Sequence, residues 1–128
     1  MSLINLTPHE LRVRGDKGGW IVLPPSGQVA RVATSRVAAG KIDPGQPNPG
    51  PGDNWEEIPV SSVATGGVTG LPPVVEGVML IVSQMVRVAV PHRMDVFSPG
   101  DLIRDDAGRP IGCDGLDGNW PAAEGGAR

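Results

Sequence analysis

The sequence predicts an α+β fold built mainly from antiparallel strands with one short helix. Three features carry that expectation: about six short apolar runs bounded by turn residues, one stretch with helical spacing, and no strand–helix–strand rhythm or internal repeat. The 128 residues suit one ordinary domain, expected over residues 1–113. With one Phe, three Trp and no Tyr, its core must be small and aliphatic. Gly and Pro supply 33 of the residues, a level at which disorder enters the reading. Four of each fall between Gly40 and Asn54, so 40–54 is expected to be a flexible loop and 114–128 a disordered tail.

Ile4 to Arg14 reads as a first strand, because Leu11 and Val13 alternate with Arg12 and Arg14. Gly15-Asp16-Lys17-Gly18-Gly19 then turns the chain into Trp20-Ile21-Val22-Leu23, a hairpin signal. Pro24-Pro25-Ser26-Gly27 ends that strand, since proline has no ladder donor. A third strand is expected over Gln28 to Ala38, bent or at an edge because Arg31, Thr34, Ser35 and Arg36 interrupt its valines. A short strand follows around Ile58 to Val63. The glycine-rich passage Thr65 to Pro73 reads as a mobile loop or lid.

Val78 to Val90 satisfies helical spacing, yet Val78-Met79-Leu80-Ile81-Val82 also suits a buried strand. A strand followed by a short helix is favoured, with Ser83 as N-cap and Pro91 beyond its end. Asp95 to Cys113 is expected to form a second hairpin, with Ser98-Pro99-Gly100 at one turn and Arg104-Asp105-Asp106-Ala107-Gly108-Arg109 at its tip.

A net charge of -3, from 11 basic and 14 acidic residues, lacks the footprint of a nucleic-acid binder. No apolar run is long enough for a membrane span, and no secretory signal opens the sequence, so a cytoplasmic protein is expected. The single Cys113 cannot close an intrachain disulfide. Walker, G-x-S-x-G, H-E-x-x-H and paired-cysteine motifs are missing, so neither catalysis nor a cofactor is expected. A metal site from His9, His92 and Asp95, or a Cys113–His92 nucleophile pair, is less economical than turn-capping histidines and a core thiol.

Nine of the eleven basic residues are Arg, which offers planar, bidentate donors to phosphate. Candidate ligand residues are His92, Arg93 and Asp95, then Arg104, Asp105 and Arg109, with the three arginines converging on an anion. Trp55 is added as a stacking platform or contact residue. The plainer alternative is solvated turns with local Arg–Asp pairs.

The landmarks Asn5-Leu6-Thr7-Pro8-His9-Glu10, Pro24-Pro25-Ser26-Gly27, Glu76-Gly77 before Ile81-Val82-Ser83, Arg93-x-Asp95-Val96, Pro99-Gly100-Asp101 and Arg104-Asp105-x-x-Gly108-Arg109-x-Ile111-Gly112-Cys113 occur in that order. Together they resemble a family of small, mostly uncharacterised proteins encoded by bacteriophages and prophages. The resemblance covers most of residues 3–113 and stops at the Pro/Gly stretch and the tail. It implies a phage accessory factor, including the anti-defence kind that sequesters a small anionic immune nucleotide in a homo-oligomer within the infected cell. The alternative it leaves open is an interaction factor that inhibits a host defence protein or joins the virion.

Overall fold

The structure, a computed structural model, describes residues 2–47 and 55–123. The chain divides into two compact units, Met1–Val32 with Gly67–Arg128 and Ala33–Gly66. Its strands are β1 (Ser2–Asn5), β2 (Leu11–Arg14), β3 (Trp20–Leu23), β4 (Arg31–Ile42), β5 (Ile58–Thr69), β6 (Val78–Ile81), β7 (Val96–Arg104) and β8 (Pro110–Gly118). One helix, α1 (Gln84–Ala89), lies between β6 and β7. Six strands share a sheet in the order β1-β6-β7-β8-β2-β3, and β4 pairs with β5 separately.

The protein is thus mainly β with a short helix, but the large sheet is mixed. β2·β3 and β7·β8 are antiparallel hairpins, whereas β1·β6, β6·β7 and β2·β8 run parallel. Local alternation reveals hairpins, while parallel partners are chosen by contacts far apart in sequence.

Both hairpins turn by the same device. Gly18 N donates to Gly15 O and Gly15 N to Gly19 O, and Gly108 N donates to Asp105 O and Asp105 N to Arg109 O. Gly18 and Gly108 sit at φ 84° and 81°, the left-handed step that closes a tight turn with a bulge. At the second tip Asp105 Oδ1 also accepts from Ala107 N and Arg109 N, both at 2.9 Å.

The core joins Leu6, Ala30, Leu80, Val82, Val86 and Val96, with Ile4, Val32, Val68, Leu71, Val78 and Val90 packed around it. β6 is a strand, as favoured: Leu80 and Ile81 are fully buried, and α1 begins immediately after Ser83, whose hydroxyl accepts from Val86 N at 3.3 Å. No helix among the described residues is long and apolar enough to cross a membrane.

Several expected boundaries move. The strand expected over Ile4 to Arg14 is two, β1 and β2, parted at Pro8. The third strand starts at Arg31 and continues to Ile42, so the expected loop begins later; 48–54 lie outside the described residues. The Thr65–Pro73 passage is the end of β5 and a turn at Gly70, φ 77°, not a lid, and Val68 and Leu71 of that passage pack on the core. Ser98-Pro99-Gly100 lies inside β7 rather than in a turn. Proline is tolerated there because β6 pairs with β7 at Val96 and Phe97, leaving the β6 side of β7 unpaired at Pro99.

The expected tail is ordered at its start. β8 runs to Gly118, and Trp120 packs edge-on to Phe97 at 5.5 Å. Asn119 holds this segment to the end of α1: Nδ2 faces Arg87 O, Val90 O and Arg93 O at 3.0–3.3 Å, while Oδ1 accepts from Arg87 Nη1. Polar capping, not an apolar pattern, orders these residues, and 124–128 lie outside the described ones.

Candidate functional site

Where β6 and β7 begin, the chain leaves an open groove of about 540 Å³. Val74 to Met79 form one wall, His92 to Asp95 the other, and Trp120 closes one side. Val74, Val75, Met94 and Trp120 are all exposed here, so the walls are largely apolar. That size and a few polar groups on an apolar surface are the usual attributes of a small-ligand site.

The polar centre is an ion pair. Arg93 Nε donates to Asp95 Oδ1 and Nη2 to Asp95 Oδ2, both at 2.9 Å, and Nη2 also donates to Pro72 O. Nη1 is the guanidinium nitrogen not engaged in these bonds. The hydrogen bond to Arg93 is the main cause holding the Asp95 carboxyl below its ordinary pKa, against an opposing push from burial. The same bond, opposed by desolvation, raises the Arg93 pKa.

This linkage predicts a pH signature. The Asp95 contribution to stability is complete above the unfolded carboxyl value, about 3.9, and is lost as pH falls through the lower folded value. Urea denaturation between about pH 6 and pH 2.5 should therefore show an acid-side loss that shrinks in Asp95→Asn. An identical acid limb in the variant would exclude this pair as its source.

Trp120, like Glu76, is a groove residue that sequence reasoning missed; it follows an unpatterned Gly/Asp run. Its Nε1–H donates to Met94 O at 2.7 Å, and Phe97 meets it at an interplanar angle of 77°. It nevertheless stays 59% exposed. A ring pinned on two sides and open to solvent is a stacking platform that needs little ordering.

Of the expected ligand residues, the structure gathers His92, Arg93 and Asp95 in this groove. Arg104, Asp105 and Arg109 lie at the β7–β8 tip, where Arg104 Nη1 donates to Gly108 O and Arg109 pairs with Asp105 at 3.1 Å. Arg93 precedes β7 and Arg104 ends it, so the nine-residue strand separates them by about 25 Å. The expected convergence of all three arginines within one chain does not occur. Trp55 belongs to the Ala33–Gly66 unit and is 60% exposed.

Cys113 is buried, and desolvation, helped by the charges of Asp117 and Asp114, raises its thiol pKa despite a backbone hydrogen bond from Gly100. Such a thiol is a poor nucleophile. No group of three or more metal-ligating side chains occurs among the described residues. Comparison with known proteins finds no matching family model, curated protein or solved structure.

Proposed function

We propose that this protein is a noncatalytic binding protein that holds a small nucleotide-type ligand in the Trp120 groove. One observation carries the reading: an indole fixed by Met94 O and Phe97, open on one side, next to the Arg93–Asp95 pair in a groove of ligand size. A nucleobase stacks on Trp120, the Arg93 Nη1 edge and His92 meet an anionic group, and Asp95 and Glu76 are acceptors for sugar hydroxyls. The resemblance to phage-encoded proteins adds a setting, in which the ligand is a signalling nucleotide of the host defence and the protein sequesters it.

The test is calorimetry against adenosine monophosphate, ADP-ribose and cyclic dinucleotides, with the ligand recovered and weighed afterwards. Stoichiometric binding, an unchanged ligand mass and a roughly 5- to 150-fold weaker Trp120→Ala, as about 1–3 kcal/mol of stacking implies, support the reading. Chemical change of the ligand, or no binding to the wild type at millimolar concentration, overturns it.

A second reading, a protein-interaction factor, is favoured by the β4–β5 sheet. Val37, Ile42, Ile58, Val60 and Val63 are all exposed along it, and between Ala33 and Gly66 no described residue is buried. On that reading substitutions there and at Trp55 abolish partner capture, while nucleotides leave the melting temperature unchanged.

A further inference from the structure

We infer that the sheet face carrying Arg12, Arg14 and Trp20 is an interface for a second copy of this chain. The inference is independent of the groove and stands whether or not a nucleotide binds there. Its basis is an unbalanced row of charges. Asp101 lies directly opposite Asp114, Asp114 beside Arg14, and Arg14 opposite Trp20. Partners in register share a face, so one row across β7, β8, β2 and β3 reads Asp–Asp–Arg–Trp. Two residues along the same face, Ile103 lies opposite Gly112 and Arg12 opposite Val22.

Like charges directly across a ladder are destabilising, and a cation in the next strand would be expected to relieve Asp101 and Asp114. Within the chain it does not. The guanidinium carbons of Arg14 and Arg12 lie 5.1 and 5.3 Å from the Trp20 ring centre. Neither acid and neither arginine of the row forms an ion pair with a described residue; Arg93–Asp95 and Arg109–Asp105 lie elsewhere. The face therefore presents two acids and two arginines side by side with no salt bridge between them; Asp101, Asp114 and Arg12 are exposed.

Such a row is complementary to itself. A two-fold axis parallel to the strands, between β8 and β2, turns one sheet over onto another at the usual spacing of about 10 Å. Asp114 then faces the partner's Arg14, whose guanidinium lies beside the partner's Trp20 ring. In the second row apolar Ile103 faces the partner's Val22, and the partner's Arg12 meets the Trp20 ring that lies over Gly112. Four strands spaced about 4.8 Å apart make a small interface, below the usual 800 Å² or so per partner. The association is accordingly weak, concentration-dependent and, being ionic, sensitive to salt.

Sedimentation equilibrium over about 5 to 500 μM protein tests this. The wild type should dimerise, with a dissociation constant rising at least tenfold between low salt and half-molar salt. Arg14→Glu and Asp114→Arg should each abolish the dimer, and a chain carrying both should recover it, because the swap restores complementarity. Arg14→Gln, which keeps the stem and removes the charge, serves if Arg14→Glu fails to fold by circular dichroism. A wild type that stays monomeric throughout overturns the inference, as does a dimer indifferent to the charge of residue 14.

Discussion

Replacing Asn5 with aspartate, a change of one atom type, is expected to destabilise the fold by about 3 kcal/mol at neutral pH. Asn5 is 3% exposed and uses its whole amide. Nδ2 donates to His9 O at 2.9 Å and Leu23 O at 3.0 Å, while Oδ1 accepts from Thr7 N at 2.9 Å and from Thr7 Oγ1 at 2.6 Å. The side chain therefore ties the end of β1 to the turn before β2 and to the end of β3. A carboxylate keeps the two acceptor bonds but turns two donor bonds into contacts between its negative oxygen and two carbonyls.

Burial against carbonyls raises the new carboxyl's folded pKa, which sets the sign of its pH dependence. The charge penalty is fully present above that raised value and disappears below the unfolded value of about 3.9. Urea midpoints taken from pH 8 to pH 4 should show Asn5→Asp closing part of its gap to wild type as acid is added, whereas Asn5→Ala keeps a constant gap. A variant within 1 kcal/mol of wild type at pH 8 would show that the amide network is not what fixes this corner.

That corner also shows how far sequence reasoning reaches. Asn5-Leu6-Thr7-Pro8-His9-Glu10 stands out as a landmark, and its chemistry is structural: Asn5 and Thr7 lock a turn, and Leu6 fills the core. Ser83 was legible as an N-cap because the hydroxyl stands just before a helical pattern. The two hairpins were legible from alternation and glycine turns. The parallel pairings of β1, β6 and β7 were not, since nothing local in Ser2–Asn5 specifies Val78–Ile81 as its neighbour. Likewise Arg93 and Asp95 could be read as a pair from their spacing, but the convergence imagined for Arg104 fails because β7 is one continuous strand. Trp120 escaped because what orders it is the capping by its neighbour Asn119 and its own bond to Met94 O, not hydrophobic periodicity.

Gly112→Ala is expected to cost about 2–3 kcal/mol although it adds a single carbon. A Cβ at this position in β8 would lie 2.5 Å from Trp20 Cζ3 and 2.6 Å from Arg12 O. The first clash is with a side chain lying across the glycine; the second is with the backbone of the neighbouring strand. They are separable. In a Trp20→Ala background the added methyl loses its indole obstacle and meets the Arg12 carbonyl alone, so Gly112→Ala should cost less there than in the wild type. The cycle of four urea denaturations measures that coupling. A cost unchanged by Trp20→Ala assigns the strain to the β2–β8 backbone, and a cost near zero in both backgrounds means the indole does not lie over Gly112. A positive coupling has a further consequence, because Arg12 and Arg14 take their positions from the Trp20 ring. Gly112→Ala should then disperse the two guanidiniums and weaken the self-association of this face while leaving the opposite, helix-covered face intact.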